Sequence, residues 1–281
     1  MPDASATPPE ENAPAARSAA AEAAAQVLRR RLPSFERARN FRDLGGYPSE
    51  AGGHVRWGLL YRSGSLASLT VSDQSRLVAM GVRGVCDLRS TLERAAEPFA
   101  WCEPAGRRFY WSRDYHSSFG ELRELLSSAL PSAAAARAAM FAGYRRLPYE
   151  QAPAYRELFS RLVAGEVPLV FNCSAGKDRA GTAAALILRA LGVRHEIVEQ
   201  DYALTATVVD LREMIAKGSA RSMLSEMPPG VISAILDSDP EYIQAALDAI
   251  DATSGSLETY LREQLGVGAK ELCRLRELLL E

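Results

Sequence analysis

The sequence predicts an α/β fold, with a central, mostly parallel twisted sheet flanked by helices and a helical C-terminal part. Three observations carry this expectation. Short apolar runs alternate with helix-forming stretches through the first two-thirds of the chain, the pattern of a parallel sheet covered on both faces. One of those runs, Pro168 to Phe171, is continuously apolar, as a strand buried on both sides should be. The chain has 281 residues, 47% apolar and 24% charged, enough to bury a sizeable core in one large domain or two small ones.

Residues 1–34 are rich in Ala with Pro, Glu and Ser and read as a flexible, solvated tail. A helix over Ser18 to Leu32 would place Arg29, Arg30 and Arg31 at its C-terminal end, where cations suit the dipole, but alone it would be marginal in water. No basic start and apolar block mark a secretory signal, so the expected location is cytoplasmic, with signal-less export left open. The folded domain is expected over 35–281. Asn40 to Gly53 is turn-rich, and Arg42 and Asp43 either pair with each other or cap neighbouring elements. Leu59 to Arg62 reads as a strand, with Arg62 in a structural role. Thr70 to Met80 reads as a helix opened by a variant capping box.

Strands follow at Val82 to Leu88 and Arg108 to Ser112. Ligands of such sheets bind beyond the carboxyl ends of the strands, where Asp87, Asp114 and Cys173 fall. Between His116 and Tyr149 two helical stretches, split at Pro131, interrupt the alternation. The first carries Phe119, Leu122, Leu125, Leu126 and Leu130 as an apolar stripe; the second, Ser132 to Leu147, carries Met140, Phe141 and Tyr144. Tyr155 to Val163 is a helix, and beyond Gly192 helices are expected at about 201–217, 230–236, 240–252 and 257–280, the last broken at Gly266 to Gly268.

Charge and cysteine usage exclude several functions. A net charge of −2 gives no general attraction to nucleic acid or acidic membranes, so any anion site must be local. Charges on the last two helices are mixed, which argues against a DNA-binding helix pair. Four scattered cysteines and three dispersed histidines give neither a disulfide framework nor metal-ligand spacing, and no cofactor is expected. No apolar run has the length of a membrane span.

The chemistry concentrates after the apolar run, in Cys173-Ser-Ala-Gly-Lys-Asp-Arg179. A strand, a small-residue loop and a helix start let successive N–H groups of Ser174, Ala175, Gly176 and Lys177 turn inward, and the helix dipole adds positive charge. Such a bowl fits a phosphate dianion. Arg179 can grip two of its oxygens, and Cys173 lies at the bottom, where the field favours the attacking thiolate.

These residues resemble the active-site loop of the cysteine-dependent phosphatases. The Ala-Gly-Lys-Asp-Arg core is similar to that of bacterial tyrosine phosphatases with additional lipid phosphatase activity. Asn40-Phe-Arg-Asp-Leu-Gly-Gly-Tyr47, Leu60-Tyr-Arg-Ser-Gly64, Asp87-Leu-Arg89, Asp201-Tyr202, Gly255-Ser256 and Tyr260-Leu261 match that family's patterns in order. The resemblance implies hydrolysis of phosphotyrosine, with phosphoserine, phosphothreonine and phosphoinositides as further substrates, through a cysteinyl-phosphate and without metal. It implies that the insertion at about 116–149 folds over the site as a lid, and that Asp87 protonates the leaving oxygen while Asp178 positions substrate or water. Asp114 remains an alternative acid. Lys177 is expected to face the mouth as a second cation for polyanionic substrates. Asn172 stands where a His usually precedes the Cys, and Ala180 where Ser or Thr usually follows the Arg, which bears on turnover. A phosphate-binding pseudophosphatase that sequesters phosphorylated partners is the alternative reading, and a sulfurtransferase the third.

Overall fold

The computed structural model describes residues 13–99, 108–111, 124–125, 131–216 and 227–281. A helix, α1 (Ala13–Arg31), precedes the domain. It is exposed along most of its described face, but its end is held: Arg31 is buried, donates to the Asp43 carbonyl at 3.0 Å and lies 3.7 Å over the Tyr47 ring, while Arg30 lies 4.4 Å over Trp57. The expected solvated tail therefore ends in a docked segment. Guanidinium stacking on two aromatic faces supplies an anchor that composition does not reveal.

Among the described residues five strands form one sheet: β1 (Arg42–Asp43), β2 (Leu60–Ser63), β3 (Gly84–Asp87), β4 (Arg108–Trp111) and β5 (Leu169–Asn172), in the order β1-β2-β5-β3-β4. Only β1 is antiparallel; β5 lies at the centre, parallel to β2 and β3. The mostly parallel sheet is as expected. Its strands divide their side chains by alternation. Leu60, Cys86, Leu169 and Phe171 enter the larger core, whereas Tyr61, Val85 and Val170 enter a smaller one with Leu77 on the opposite face. Burial on both sides fixes the register, since a one-residue slip would exchange every pair of faces.

Between β2 and β3 runs α2 (Val71–Ala79), closed by the expected capping box of Thr70 and Asp73. A short helix, α3 (Thr91–Ala96), follows β3 and was not expected; it has a capping box of its own, between Ser90 and Glu93. The second half of the insertion is α4 (Ala133–Glu150). Its Ala136, Met140, Tyr144 and Leu147 are fully or nearly fully buried, so one face of this half packs into the core. The apolar stripe Phe119 to Leu130 lies outside the described residues except Glu124 and Leu125, as does Asp114.

Next come α5 (Ala152–Val163) and α6 (Asp178–Ala190), the latter leaving the phosphate-loop candidate. The helix expected at 201–217 is instead α7 (His195–Ala203), α8 (Thr205–Val208) and α9 (Leu211–Ala216). The β-branched run around Thr205 to Val209 is a weak helix former, and Val209 is extended at the break. The rest follows expectation: α10 (Pro229–Leu236), α11 (Pro240–Ser254), α12 (Leu257–Leu265) and α13 (Ala269–Leu279). Gly255 and Gly266 close α11 and α12 in left-handed conformations. Among the described residues no helix is long and apolar enough to cross a membrane.

Charge inside the domain is tied at Asp201, on α7. Arg42 Nε donates to one of its oxygens at 3.2 Å and Arg62 Nη1 to the other at 2.6 Å, with all three side chains at most 1% exposed. Tyr47 Oη adds a bond at 2.9 Å. Arg42 thus pairs with Asp201 rather than with Asp43, whose carboxylate accepts from the Gly45 and Gly58 N–H groups. Burial opposes the Asp201 charge, but the two guanidinium groups outweigh it and hold the carboxyl well below the usual range. Asp201→Ala would leave two buried cations without their counter-ion. The expected cost is about 3–5 kcal/mol in urea unfolding; a loss under about 1 kcal/mol, the scale of an exposed pair, would contradict this account.

Candidate active site

The loop from Cys173 to Lys177 leaves β5 and runs directly into α6. Four of its carbonyls are held from behind. Ser174 accepts from the Ser65 N–H at 2.9 Å, Ala175 from Asn40 Nδ2 at 3.0 Å, and Gly176 and Lys177 from Arg62 Nη2 at 2.8 and 3.4 Å. In a planar trans peptide the following N–H points opposite to the carbonyl. The N–H groups of Ala175, Lys177 and Asp178 are thereby turned away from the frame, and none has a partner among the described residues. Gly176 N–H instead donates to Cys173 Sγ at 3.2 Å. Gly176 has φ of 73°, and a Cβ there would lie 2.6 Å from the Gly64 nitrogen. Both the turn and the close approach require glycine.

Cys173 is 1% exposed, at the bottom of this nest. Arg179, in the first turn of α6, is locked in place by a residue that sequence reading overlooked. Glu93 Oε1 receives Arg179 Nη2 at 2.7 Å and Ser174 Oγ at 2.5 Å; Oε2 receives Arg179 Nη1 at 2.7 Å and the Ser90 N–H at 2.8 Å. Burial works against the Glu93 charge, but the hydrogen bonds and charge of Arg179, followed by Ser174 and Ser90, hold its carboxyl well below the usual range. The signal was in the sequence: Ser90-Thr-Leu-Glu93 is a capping-box pattern just after a strand end.

The other expected residues divide. Asp87 ends β3 beside the loop, but both its oxygens are taken by Arg89: Nε at 3.0 and 3.1 Å, Nη2 at 2.7 Å, and the Arg89 N–H at 3.1 Å. Asn172 Nδ2 adds a contact to Asp87 at 3.3 Å. Asp178 is more open. One oxygen accepts from Tyr144 Oη at 2.5 Å and lies 3.4 Å from Lys177 Nζ; the other has no partner among the described residues. Lys177 departs from expectation. Its side chain is buried, and Nζ donates to the Ile235 and Asp237 carbonyls at 2.5 and 3.2 Å, closing the C-terminal end of α10. Unpaired helix-end carbonyls attract a cation more strongly than an open mouth would. Ala180 is fully buried and brings no hydroxyl.

Glu93→Gln tests the lock. Arg179 would lose its charged partner, and the inhibition constant for vanadate should rise about tenfold, the worth of one charge-assisted hydrogen bond. The same carboxylate contributes to stability with a definite sign. Because its native pKa is depressed, its contribution is complete above about pH 4.3 and is lost as pH falls from there toward the native value. Melting temperature should therefore fall less steeply below about pH 4 in the Gln variant than in the native protein; parallel curves would remove Glu93 from the account.

Residues 33–281 match the family model described as the tyrosine phosphatase family. A Cupriavidus necator protein, provisionally named a tyrosine-protein phosphatase, is 34% identical over 259 residues, covering 90% of each chain. The triple specificity protein phosphatase PtpB of Mycobacterium tuberculosis is 29% identical, over 86% of this chain and 96% of its own. A tyrosine-protein phosphatase of Nostoc commune is 27% identical, over 76% and 72%. With a buried thiol, a held arginine and residues 33–281 matched, this chain belongs to the tyrosine phosphatase family.

Proposed function

We propose that the protein hydrolyses phosphotyrosine through a cysteinyl-phosphate intermediate. The observation that carries this reading is the nest: four carbonyls tied behind the loop, three N–H groups left facing away from the frame, and a thiol beneath. Cys173 Sγ attacks phosphorus in line with the departing phenolic oxygen. The loop N–H groups hold the equatorial oxygens as charge redistributes, joined by Arg179 as its Nη groups exchange Glu93, the Ser174 hydroxyl and the Leu88 carbonyl for phosphate oxygens. Water then attacks the cysteinyl-phosphate and the thiolate departs. Gly176 N–H, already on Sγ, stabilises that thiolate in the role a hydroxyl at position 180 would fill. A pseudophosphatase reading draws no support from a site holding nucleophile, clamp and carboxylic acid together.

The leaving oxygen needs a proton, and we assign its donor to Asp178 in place of Asp87. What supports this is the difference in their surroundings: Arg89 occupies both Asp87 oxygens, whereas Asp178 retains one without a partner and is partly exposed. Asp178 gives its proton to the phenolate and later takes one from the attacking water. Phosphoinositide hydrolysis has weaker support than phosphotyrosine hydrolysis, because Lys177 is committed to carbonyls of the fold.

Purified protein should release phosphate from para-nitrophenyl phosphate and from a phosphotyrosine peptide. Cys173→Ser should abolish release while still binding vanadate; activity near the native level would refute the nucleophile. General acid catalysis matters most for poor leaving groups. Asp178→Asn should lower kcat/KM for phenyl phosphate by about 10²–10⁴-fold and for dinitrophenyl phosphate much less. If Asp87→Asn gives that selective loss and Asp178→Asn does not, the acid is Asp87. Lys177→Ala should affect phosphotyrosine peptide and phosphoinositides alike; a loss confined to the lipids would restore Lys177 as a headgroup reader.

A further inference from the structure

Two buried phenols stand behind Asp178 and have no part in the mechanism above. Tyr144 comes from α4 and is 0% exposed; Tyr202 comes from α7 and is 1% exposed. Their hydroxyls are 2.5 Å apart, and the Tyr144 hydroxyl is 2.5 Å from Asp178 Oδ1. The rings meet edge to face, and Tyr144 stacks on Tyr242 at 5.4 Å, so neither phenol has room to swing. On the other side of Tyr202, a Cβ added to Gly181 would lie 3.1 Å from its ring. Two helices, α4 and α7, thus line up their phenols behind one carboxylate oxygen.

We propose that Tyr144, held by Tyr202, is a positioning residue that decides which oxygen of Asp178 carries the catalytic proton. The proposal rests on Asp178 being the acid. A phenol has one proton. Tyr144 gives its proton to Asp178 Oδ1, so the 2.5 Å contact with Tyr202 can be satisfied only if Tyr202 donates to Tyr144. The chain therefore runs one way, from Tyr202 to Tyr144 to Asp178. Lys177 Nζ, 3.4 Å from the same oxygen, reinforces its role as acceptor. Protonation at Oδ1 would reverse the chain and leave the Tyr202 O–H without an acceptor among the described residues. The proton consequently sits on Oδ2, the oxygen with no partner among the described residues. Burial keeps both phenols protonated, which maintains the direction of the chain.

Tyr144→Phe removes the donor and keeps the ring stack; Tyr144→Phe/Tyr202→Phe also leaves no orphaned hydroxyl, which guards against a folding defect. In both variants kcat/KM for phenyl phosphate should fall about ten- to a hundredfold, the worth of one charge-assisted hydrogen bond. Dinitrophenyl phosphate turnover and vanadate inhibition should stay near native values, since nucleophile and clamp are untouched. In an Asp178→Asn background the added Tyr144→Phe change should cost nothing further. If Asp178→Asn shows the selective loss but Tyr144→Phe behaves as native, the positioning role is overturned and Asp178 remains the acid. Equal losses on both substrates, or a full additional loss in the Asn background, would also overturn it and make Tyr144 a packing residue. An Asp178→Asn variant without selective loss would instead remove the acid on which the proposal rests.

Discussion

Everything at the catalytic end depends on one buried carboxylate. Asp201 neutralises Arg42 and Arg62 at once, and Arg62 passes the constraint on to the carbonyls of Gly176 and Lys177. Two guanidinium groups at full burial are intolerable without a counter-ion, so the chain must bring α7 against β1 and β2 before the loop can settle. Arg42 extends the same tie to Asn40 Oδ1 and the Thr205 hydroxyl, and Asn40 in turn holds the Ala175 carbonyl. The polar frame is worth little as net stability, but it fixes the orientation of each peptide in the loop. A phosphate site made of backbone dipoles needs that orientation more than it needs any particular loop side chain.

The helices on the other side do corresponding work on Asp178 and its neighbour Lys177. α4 and α11 meet around Tyr144 and Tyr242, and the end of α10 takes up Lys177. The cation over Tyr242, with Nζ 5.7 Å from the ring, closes a small circuit of Lys177, Tyr242, Tyr144 and Asp178. The C-terminal helices are therefore tied to the end of the loop rather than forming an appended cover. A packing change in α11 would be felt at Asp178 without any contact to substrate.

Much of this could be read from the chain, and what could not has physical reasons. The sheet was legible because Leu169 to Phe171 is apolar on both faces, and the nest because Cys173 and Arg179 bracket small residues at a helix start. Structural roles for Arg42 and Arg62 were legible in kind, but their shared partner lies some 140 residues or more away along the chain, at Asp201, and no local pattern encodes such a closure. Glu93 had a local signature, Ser90-x-x-Glu93, in a helix too short to announce itself by periodicity. Lys177 misled because a lysine between glycine and aspartate reads as exposed; only tertiary structure brings the end of α10 to its ammonium group. Ser132 to Leu147 was legible as a helix, but an apolar stripe does not say how much of its face fills a core.

Glu93 has one more consequence. It is both the N3 carboxylate of α3 and the bidentate partner of Arg179, so folding a six-residue helix also freezes the clamp. A free arginine side chain carries about 2 kcal/mol of rotamer entropy. Here that disorder is surrendered when the chain folds and not when the dianion arrives. Phosphate capture should accordingly carry a small conformational-entropy penalty, its cost lying instead in the exchange of partners by a guanidinium that already donates to Glu93.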